Sequence, residues 1–120
     1  MGNVVQLNRP VNGAGHTMTV DIDVDADLSD AAPCEGYSFG ILYIPSTFNG
    51  TQVAFHVCPT KGGTFVPLYD GTTGALLTLT AAASTAIALP PELFGAAYFK
   101  IETVTDQADT DTVFTVHLKA

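Results

Sequence analysis

A stretch dense in strand-forming residues, from 36 to 69, most constrains the fold of this chain. Within residues 36–44, large apolar side chains occupy both alternating sets of positions, which predicts a central strand buried on both faces. These side chains are Tyr37, Phe39, Ile41 and Tyr43 on one face and Leu42 and Ile44 on the other. Residues 52–58 alternate apolar and polar positions, which predicts a strand with one buried face. Pro45 and the Asn49-Gly50 pair lie between the two runs and predict an antiparallel hairpin.

Strand patterns continue on both sides of this stretch, and each is followed by a turn rich in Gly, Pro or Asp. Residues 16–24 predict a first strand whose inward side chains are Met18, Val20, Ile22 and Val24. Further strands are expected within residues 64–69, 75–80, 81–88, 97–104 and 112–118. The strand at 64–69 contains Pro67, which suits a sheet edge. The last two strands are expected to pair as a hairpin.

One short helical element interrupts the strands. Residues 91–95 begin with Pro and end with Gly, which is typical of a single helical turn, and we expect Phe94 to close one end of the core. The regular spacing of strands and turns predicts an all-β domain over residues 16–120. Its expected architecture is a single β-sandwich, jelly-roll-like, with about eight antiparallel strands.

Residues 1–15 form a segment without periodicity, in which Asn, Gly and Pro are closely spaced. We expect an extended N-terminal arm. Either a frayed terminus or edge strand, or an arm that docks on a partner, agrees with this composition. If the arm docks, its partner-contacting residues are expected to be Val4, Val5, Leu7, Arg9 and Val11.

Charge excludes one class of function. The chain has 120 residues, of which four are basic and twelve acidic, for a net charge of -8. The basic residues, Arg9, Lys61, Lys100 and Lys119, are scattered, so no patch that follows a phosphate backbone is expected and nucleic-acid binding is not predicted.

The sequence shows neither a signal-peptide pattern nor an apolar run of membrane-spanning length, so we expect a cytoplasmic origin and no membrane contact.

The two cysteines, Cys34 and Cys58, are predicted to be free thiols. In the expected hairpin, Cys58 lies opposite Tyr37, which leaves Cys34 about 10 Å further along the strand and beyond disulfide distance.

A run of aspartates resembles a metal site but lacks two of the residues that such a site needs. Asp21, Asp23, Asp25, Asp27 and Asp30 resemble half of a calcium-binding loop, but alanines stand where the loop needs its Gly and its bidentate Glu. A solvated strand face and acidic loop are therefore predicted. A looser site that recruits Asp106, Asp109 or Asp111 is the alternative.

Other chemistry is weakly represented in the sequence. His16, His56 and His117 are not at metal-ligand spacing, and those on strands are expected to be partly buried and hydrogen-bonded. The sequence contains no nucleophile-elbow motif and no reactive-cysteine motif. We therefore expect no enzymatic activity, no cofactor and no metal.

The ordered layout of several short segments resembles small β-sandwich virion proteins of tailed bacteriophages. The segments are TFNGT, VAFHV, GGTFVPLYD, LPPELF and YFKI, and the resemblance covers roughly residues 36–118. It implies an accessory virion role, most directly a capsid decoration (cement) protein. Such a protein binds the major capsid protein, often as a trimer, and stabilises the head shell. The resemblance implies a location on the virion surface after synthesis in the host bacterial cytoplasm.

Two rival functions agree with the same sequence. One is a tail- or fibre-associated carbohydrate-binding module that uses tyrosines on one sheet face, for which Tyr37, Tyr43, Tyr69 and Tyr98 are the candidates. The other is a tail or baseplate assembly component.

Overall fold

The computed structural model describes residues 15–105, 107 and 111–120. Over these residues the chain forms nine strands and one 3-10 helix. The strands are β1 (His16–Ile22), β2 (Ala32–Pro33), β3 (Phe39–Tyr43), β4 (Gln52–Cys58), β5 (Val66–Pro67), β6 (Thr78–Thr80), β7 (Ala86–Ala88), β8 (Tyr98–Glu102) and β9 (Thr112–Lys119), and the helix is Pro91–Gly95. The predicted docking residues of the arm, Val4, Val5, Leu7, Arg9 and Val11, lie outside the described residues. None of the described segments is a helix long and apolar enough to cross a membrane.

The strands form two antiparallel sheets. The first sheet has the order β1-β9-β3-β7, and the second has the order β2-β8-β4-β5, with β6 pairing along β4 as well. Both β5 and β6 are antiparallel to β4, at opposite ends of it, so together they fill the place of one strand. Counted in this way, each sheet has four strands, and the strand order of the two sheets is that of a jelly roll. The prediction of a jelly-roll-like β-sandwich of about eight strands is confirmed.

The core lies between the two sheets and is built from alternate residues of the long strands. Its largest fully buried side chains include Phe55, Phe99, Phe114, Ile22, Leu42, Ile101 and Leu118. Two aromatic pairs pack edge to face, Phe55 with Phe99 and Phe48 with Phe114, at ring-centre distances of 6.3 and 6.1 Å. Alternation predicts that Phe99 and Ile101 of β8 and Phe114, Val116 and Leu118 of β9 face inward, and their full burial confirms this prediction.

The predicted central hairpin is wrong, because β3 and β4 lie in different sheets. Residues 45–51, here called the inter-sheet arch, carry the chain from one sheet to the other. Phe48 anchors the arch in the core with 5% of its surface exposed. The predicted burial of both faces of β3 is also wrong, since Leu42 is fully buried whereas Phe39 and Tyr43 are 54% and 48% exposed.

A buried glutamine holds the inter-sheet arch in place. The side-chain carbonyl oxygen of Gln107 accepts hydrogen bonds from the Asn49 backbone N–H (2.9 Å) and the Thr112 hydroxyl (2.8 Å). Its side-chain amide donates to the backbone oxygens of Asn49 (2.8 Å) and Thr105 (2.9 Å). Gln107 is fully buried, and all four of these bonds satisfy its amide group.

Two further local predictions are wrong. The strands β8 and β9 do not pair with each other, because they belong to different sheets. Val24 is 44% exposed, since β1 ends at Ile22 and the chain turns at Asp25, whose φ is 65°. Phe94 of the 3-10 helix is partly buried and packs against the core, in agreement with its expected position, while the fully buried side chain of this helix is Leu93.

Candidate functional site

The solvent-facing side of the first sheet, here called the outer face, is built from the alternate residues of four strands. It comprises Thr17, Thr19 and Asp21 from β1, Val113, Thr115, His117 and Lys119 from β9, Phe39, Ile41 and Tyr43 from β3, and Ala86 and Ala88 from β7. The sequence pattern placed the β3 members of this set in the core, and the structure places them at the surface.

Register places the apolar side chains of the outer face side by side. Ile41 lies opposite both His117 and Ala88, and Tyr43 lies opposite both Thr115 and Ala86. Directly opposed side chains on one sheet face are close enough to form a continuous surface. The exposed β3 side chains therefore form a line of apolar surface across the middle of the sheet.

Full charges lie only at the two ends of the outer face. Lys119 pairs with Phe39 at one end, and Asp21 pairs with Val113 at the other. Between them, the His117 ring nitrogen Nδ1 and the Thr17 hydroxyl share a hydrogen bond. In a chain of net charge -8, a sheet face with so few charges can be covered by a partner at a small desolvation cost.

The second sheet has a different outer surface. His56 Nε2 lies 2.9 Å from Glu102 Oε1, and Lys100 Nζ lies 4.7 Å from the centre of the Phe65 ring. Their neighbouring strands bring these groups together on one face. His56 is half-buried and hydrogen-bonded, which confirms the prediction for histidines on strands.

An apolar groove, here called the end groove, lies at one end of the sandwich. It has a volume of about 330 Å³ and lies between the ends of β4 and β5 and the 3-10 helix. Val57, Pro59, Val66, Leu68 and Ala96 line it, and Glu92 is the charged residue among its lining.

The two cysteines border this end of the molecule and are free thiols, as predicted. The Cys34 thiol lies 3.3 Å from the backbone oxygen of Ala96, and the Cys58 thiol lies 3.0 Å from that of Thr60. They stay apart for a different reason from the one expected. Cys34 follows β2 and Cys58 ends β4, on opposite sides of β8, so two strand spacings, roughly 10 Å, separate them.

Burial, with a smaller contribution from the neighbouring Glu35 carboxylate, raises the pKa of Cys34 from 9.0 to about 11. The folded state therefore favours the neutral thiol. Its contribution to stability is complete below pH 9.0 and is lost as the pH rises towards 11, because the unfolded thiol ionises first. Urea unfolding between pH 7 and pH 11 is expected to show this loss in the wild type and a smaller one in Cys34→Ala. Identical pH dependence in the two proteins would contradict it.

The acidic run begins in β1 and continues into the loop that follows it, where the Asp30 backbone N–H donates to the Asp21 backbone oxygen (3.1 Å). Asp111 Oδ1 accepts a hydrogen bond from the Val24 backbone N–H (2.9 Å), and Asp21 lies on the outer face. Across the described parts of the chain, no group of three or more His, Cys, Asp or Glu side chains is placed to hold a metal ion. Asp106 and Asp109, which the alternative site would recruit, lie outside the described residues.

The four tyrosines do not share one sheet face. Tyr43 is 48% exposed on the first sheet, and Tyr69 is 56% exposed beyond β5 of the second sheet. Tyr98 is half-buried on β8, and Tyr37 is half-buried with its ring stacked on His16. The four candidates therefore do not form one sugar-stacking platform, and Tyr43 is the exposed candidate on the outer face.

Comparison with known proteins identifies a shared fold. No protein-family model matches the sequence, and no curated protein matches it. Among solved structures, the SPBc2 prophage-derived protein YomS aligns over 92% of this chain and 98% of its own, with a TM-score of 0.54 and 9% identity. A cupin domain from Bordetella pertussis Tohama I aligns over 96% and 88% of the two chains, with a TM-score of 0.44 and 9% identity. A protein of the disulfide-linked pili of Bacillus endospore appendages aligns over 95% and 96%, with a TM-score of 0.42 and 13% identity. The chain therefore shares its fold with a prophage-derived protein of similar length.

Proposed function

We propose that this chain is a structural protein of a bacteriophage particle, and specifically a decoration protein that binds the major capsid protein and stabilises the head shell. The observation that carries the proposal is the charge-poor outer face, on which Phe39 and Tyr43 expose about half of their surface. The proposal assigns the chain no catalytic role, no cofactor and no nucleic-acid or membrane partner.

The outer face has the composition of a protein-binding surface. Aromatic side chains are enriched at the centres of protein interfaces, and charged ones are depleted there. A four-stranded sheet face is small, so each contact with a shell subunit would be modest in affinity. Many copies on a symmetric shell make up for this, because attachment at many sites is strong even when each contact is weak.

Two further observations support the proposal. The segments from TFNGT to YFKI resemble those of small phage virion proteins, and the fold is shared with a prophage-derived protein. The sequence resemblance and the shared fold both indicate a class of protein. The outer face is the surface that would contact the capsid.

Co-sedimentation with purified phage heads that lack this protein tests the proposal. The wild type is expected to bind heads saturably, and Tyr43→Asp is expected to bind at least about tenfold more weakly, because it places a charge in the middle of the buried contact. Tyr43→Phe keeps the aromatic ring and is expected to bind like the wild type.

The matched control is Val104→Asp, since Val104 is 51% exposed and lies outside the outer face. This variant is expected to bind like the wild type. Failure of the wild type to bind heads would contradict the decoration role. Equal binding by Tyr43→Asp and the wild type would contradict the outer face as the contact.

A carbohydrate-binding module is the second candidate, because Tyr43 is exposed beside the hydroxyl-bearing Thr115 on an adjacent strand. One exposed aromatic ring with polar neighbours can stack on a sugar. A glycan screen in which the wild type binds and Tyr43→Ala does not would favour this function over capsid binding.

A further inference from the structure

The end groove is an apolar site with one charge at its edge. Val57, Val66 and Leu68 contribute aliphatic surface, and Val66 is 53% exposed at the edge strand β5. The carboxylate of Glu92, which is exposed on the 3-10 helix, is the charged group of the lining. The groove therefore suits an extended apolar peptide that carries one positive charge.

Residues 1–14 of the chain have this composition. They contain the apolar residues Val4, Val5, Leu7 and Val11, one basic residue, Arg9, and no acidic residue. Their apolar side chains match the groove wall, and Arg9 is complementary to Glu92.

The segment begins at the same end of the sandwich as the groove. Gly15 precedes β1, whose first residue pairs with Leu118 near the end of β9. The Ser38 backbone N–H donates to the Lys119 backbone oxygen (2.8 Å). The Cys34 backbone N–H donates to the Ala97 backbone oxygen (2.9 Å). Residues 34–38 thus connect the end of β9 to the groove end of β8.

The start of the segment and the groove nevertheless lie at opposite edges of the sandwich. Residues 23–31 join β1 to β2 at one edge, and residues 81–85 join β6 to β7 at the other. The groove lies beside β5, on the second of these edges. To reach it, a chain from Gly15 must cross about 14 Å of sheet and about 10 Å between sheets.

This distance favours the groove of a neighbouring copy. Five residues lie between Arg9 and Gly15, so six Cα–Cα steps, about 20 Å when fully extended, limit the reach of the backbone. Pairing Arg9 with Glu92 of the same chain would therefore require a largely extended segment across the end of the sandwich. Pairing with Glu92 of a second copy imposes no such stretch.

We propose that residues 1–14 of one copy bind in the end groove of the next copy, with Val4, Val5, Leu7 and Val11 against its apolar wall and Arg9 beside Glu92. The contact joins two different surfaces, so successive copies are related head to tail, and a rotation that closes gives a ring. The contact uses neither the outer face nor any capsid protein, so it can fail or hold independently of the decoration role.

Mixing two defective variants tests the proposal. One variant lacks residues 1–14 and keeps its groove, and the other, Val66→Asp, has a charged groove and keeps its N-terminal segment. Size-exclusion chromatography with light scattering is expected to show an oligomer for the full-length wild type and a monomer for each variant alone, of about 12.5 kDa for Val66→Asp and proportionately less for the truncated chain. An equimolar mixture is expected to give a heterodimer, because it contains one intact segment and one intact groove.

Matched controls separate this contact from a loss of folding. Val104→Asp introduces the same charge at an equally exposed valine away from the groove and is expected to remain oligomeric. Glu92→Arg and Arg9→Glu are each expected to weaken association at least tenfold, and the double variant Arg9→Glu/Glu92→Arg is expected to recover it.

A wild type that is monomeric at every concentration would overturn the proposal. An oligomer that survives removal of residues 1–14, or a mixture of the two defective variants that stays monomeric, would overturn it as well. If the wild type is monomeric and still binds phage heads, the docking of residues 1–14 between copies is overturned and the decoration role is retained.

Discussion

Replacing Phe99 by alanine is expected to lower the free energy of unfolding by about 3–5 kcal/mol. Phe99 is fully buried on β8, where its ring packs edge to face against Phe55 between the two sheets. Its removal leaves a cavity that the surrounding strands can fill only in part, since hydrogen bonds hold β8 on both sides. Urea unfolding monitored by tyrosine fluorescence or circular dichroism gives the value.

Phe39→Ala is the matched control. Phe39 is 54% exposed on the outer face, and its truncation is expected to change the free energy of unfolding by less than about 0.5 kcal/mol. The alternation of apolar residues in β3 predicts that Phe39 is buried like Phe99. A loss for Phe39→Ala similar to that for Phe99→Ala would therefore contradict the orientation of β3.

Replacing Gln107 by alanine is expected to cost about 2–4 kcal/mol of stability. Four hydrogen bonds join its buried side chain to Asn49, Thr105 and Thr112. Truncation leaves the backbone N–H and C=O of Asn49 without these partners in the interior. Thermal unfolding is expected to show the loss as a marked fall in Tm.

Gln52→Ala provides the comparison, because Gln52 is exposed at the start of β4. Its replacement is expected to change stability by less than about 0.5 kcal/mol. Equal effects for the two glutamines would show that the inter-sheet arch does not depend on the Gln107 side chain.

Local patterns predicted the strands of this fold better than their pairing. The inward sets of β8 and β9 follow from alternation, since one face of each strand is apolar and the other polar. Pro45 and Asn49-Gly50 mark a reversal of the chain, but a hairpin turn and an inter-sheet arch use the same residues. The arch is fixed by the burial of Phe48 and by bonds to Gln107, which is 58 residues away from Asn49. No local pattern contains such a contact.

The orientation of β3 illustrates a second limit of local patterns. Its inward set includes Gly40, where a Cβ atom would lie 2.6 Å from the Leu118 side chain and 2.8 Å from the His117 backbone oxygen. Close packing thus requires glycine at an inward position, which makes the inward set appear less apolar than the outward one. Phe39, Ile41 and Tyr43 form the more apolar set in the sequence and yet face solvent. For this reason the sequence pattern did not predict the outer face as an exposed surface.

The end groove could not be predicted either, because it combines residues from β4, β5 and the 3-10 helix. β4 and β5 are neighbours in the second sheet, but the 3-10 helix comes much later in the sequence and meets them only in the folded domain. The composition of residues 1–14, by contrast, is visible in the sequence, where it agreed equally with a frayed terminus or edge strand and with an arm that docks on a partner. The structure adds a surface whose chemistry matches that segment.

Immunogold labelling of intact phage particles with an antibody against this chain tests the central claim most directly. Decoration of the head shell predicts gold particles distributed over the capsid surface, with labelling lost from particles of a phage that lacks the gene. Labelling confined to the tail or baseplate, or absent from the particle, would contradict the decoration role.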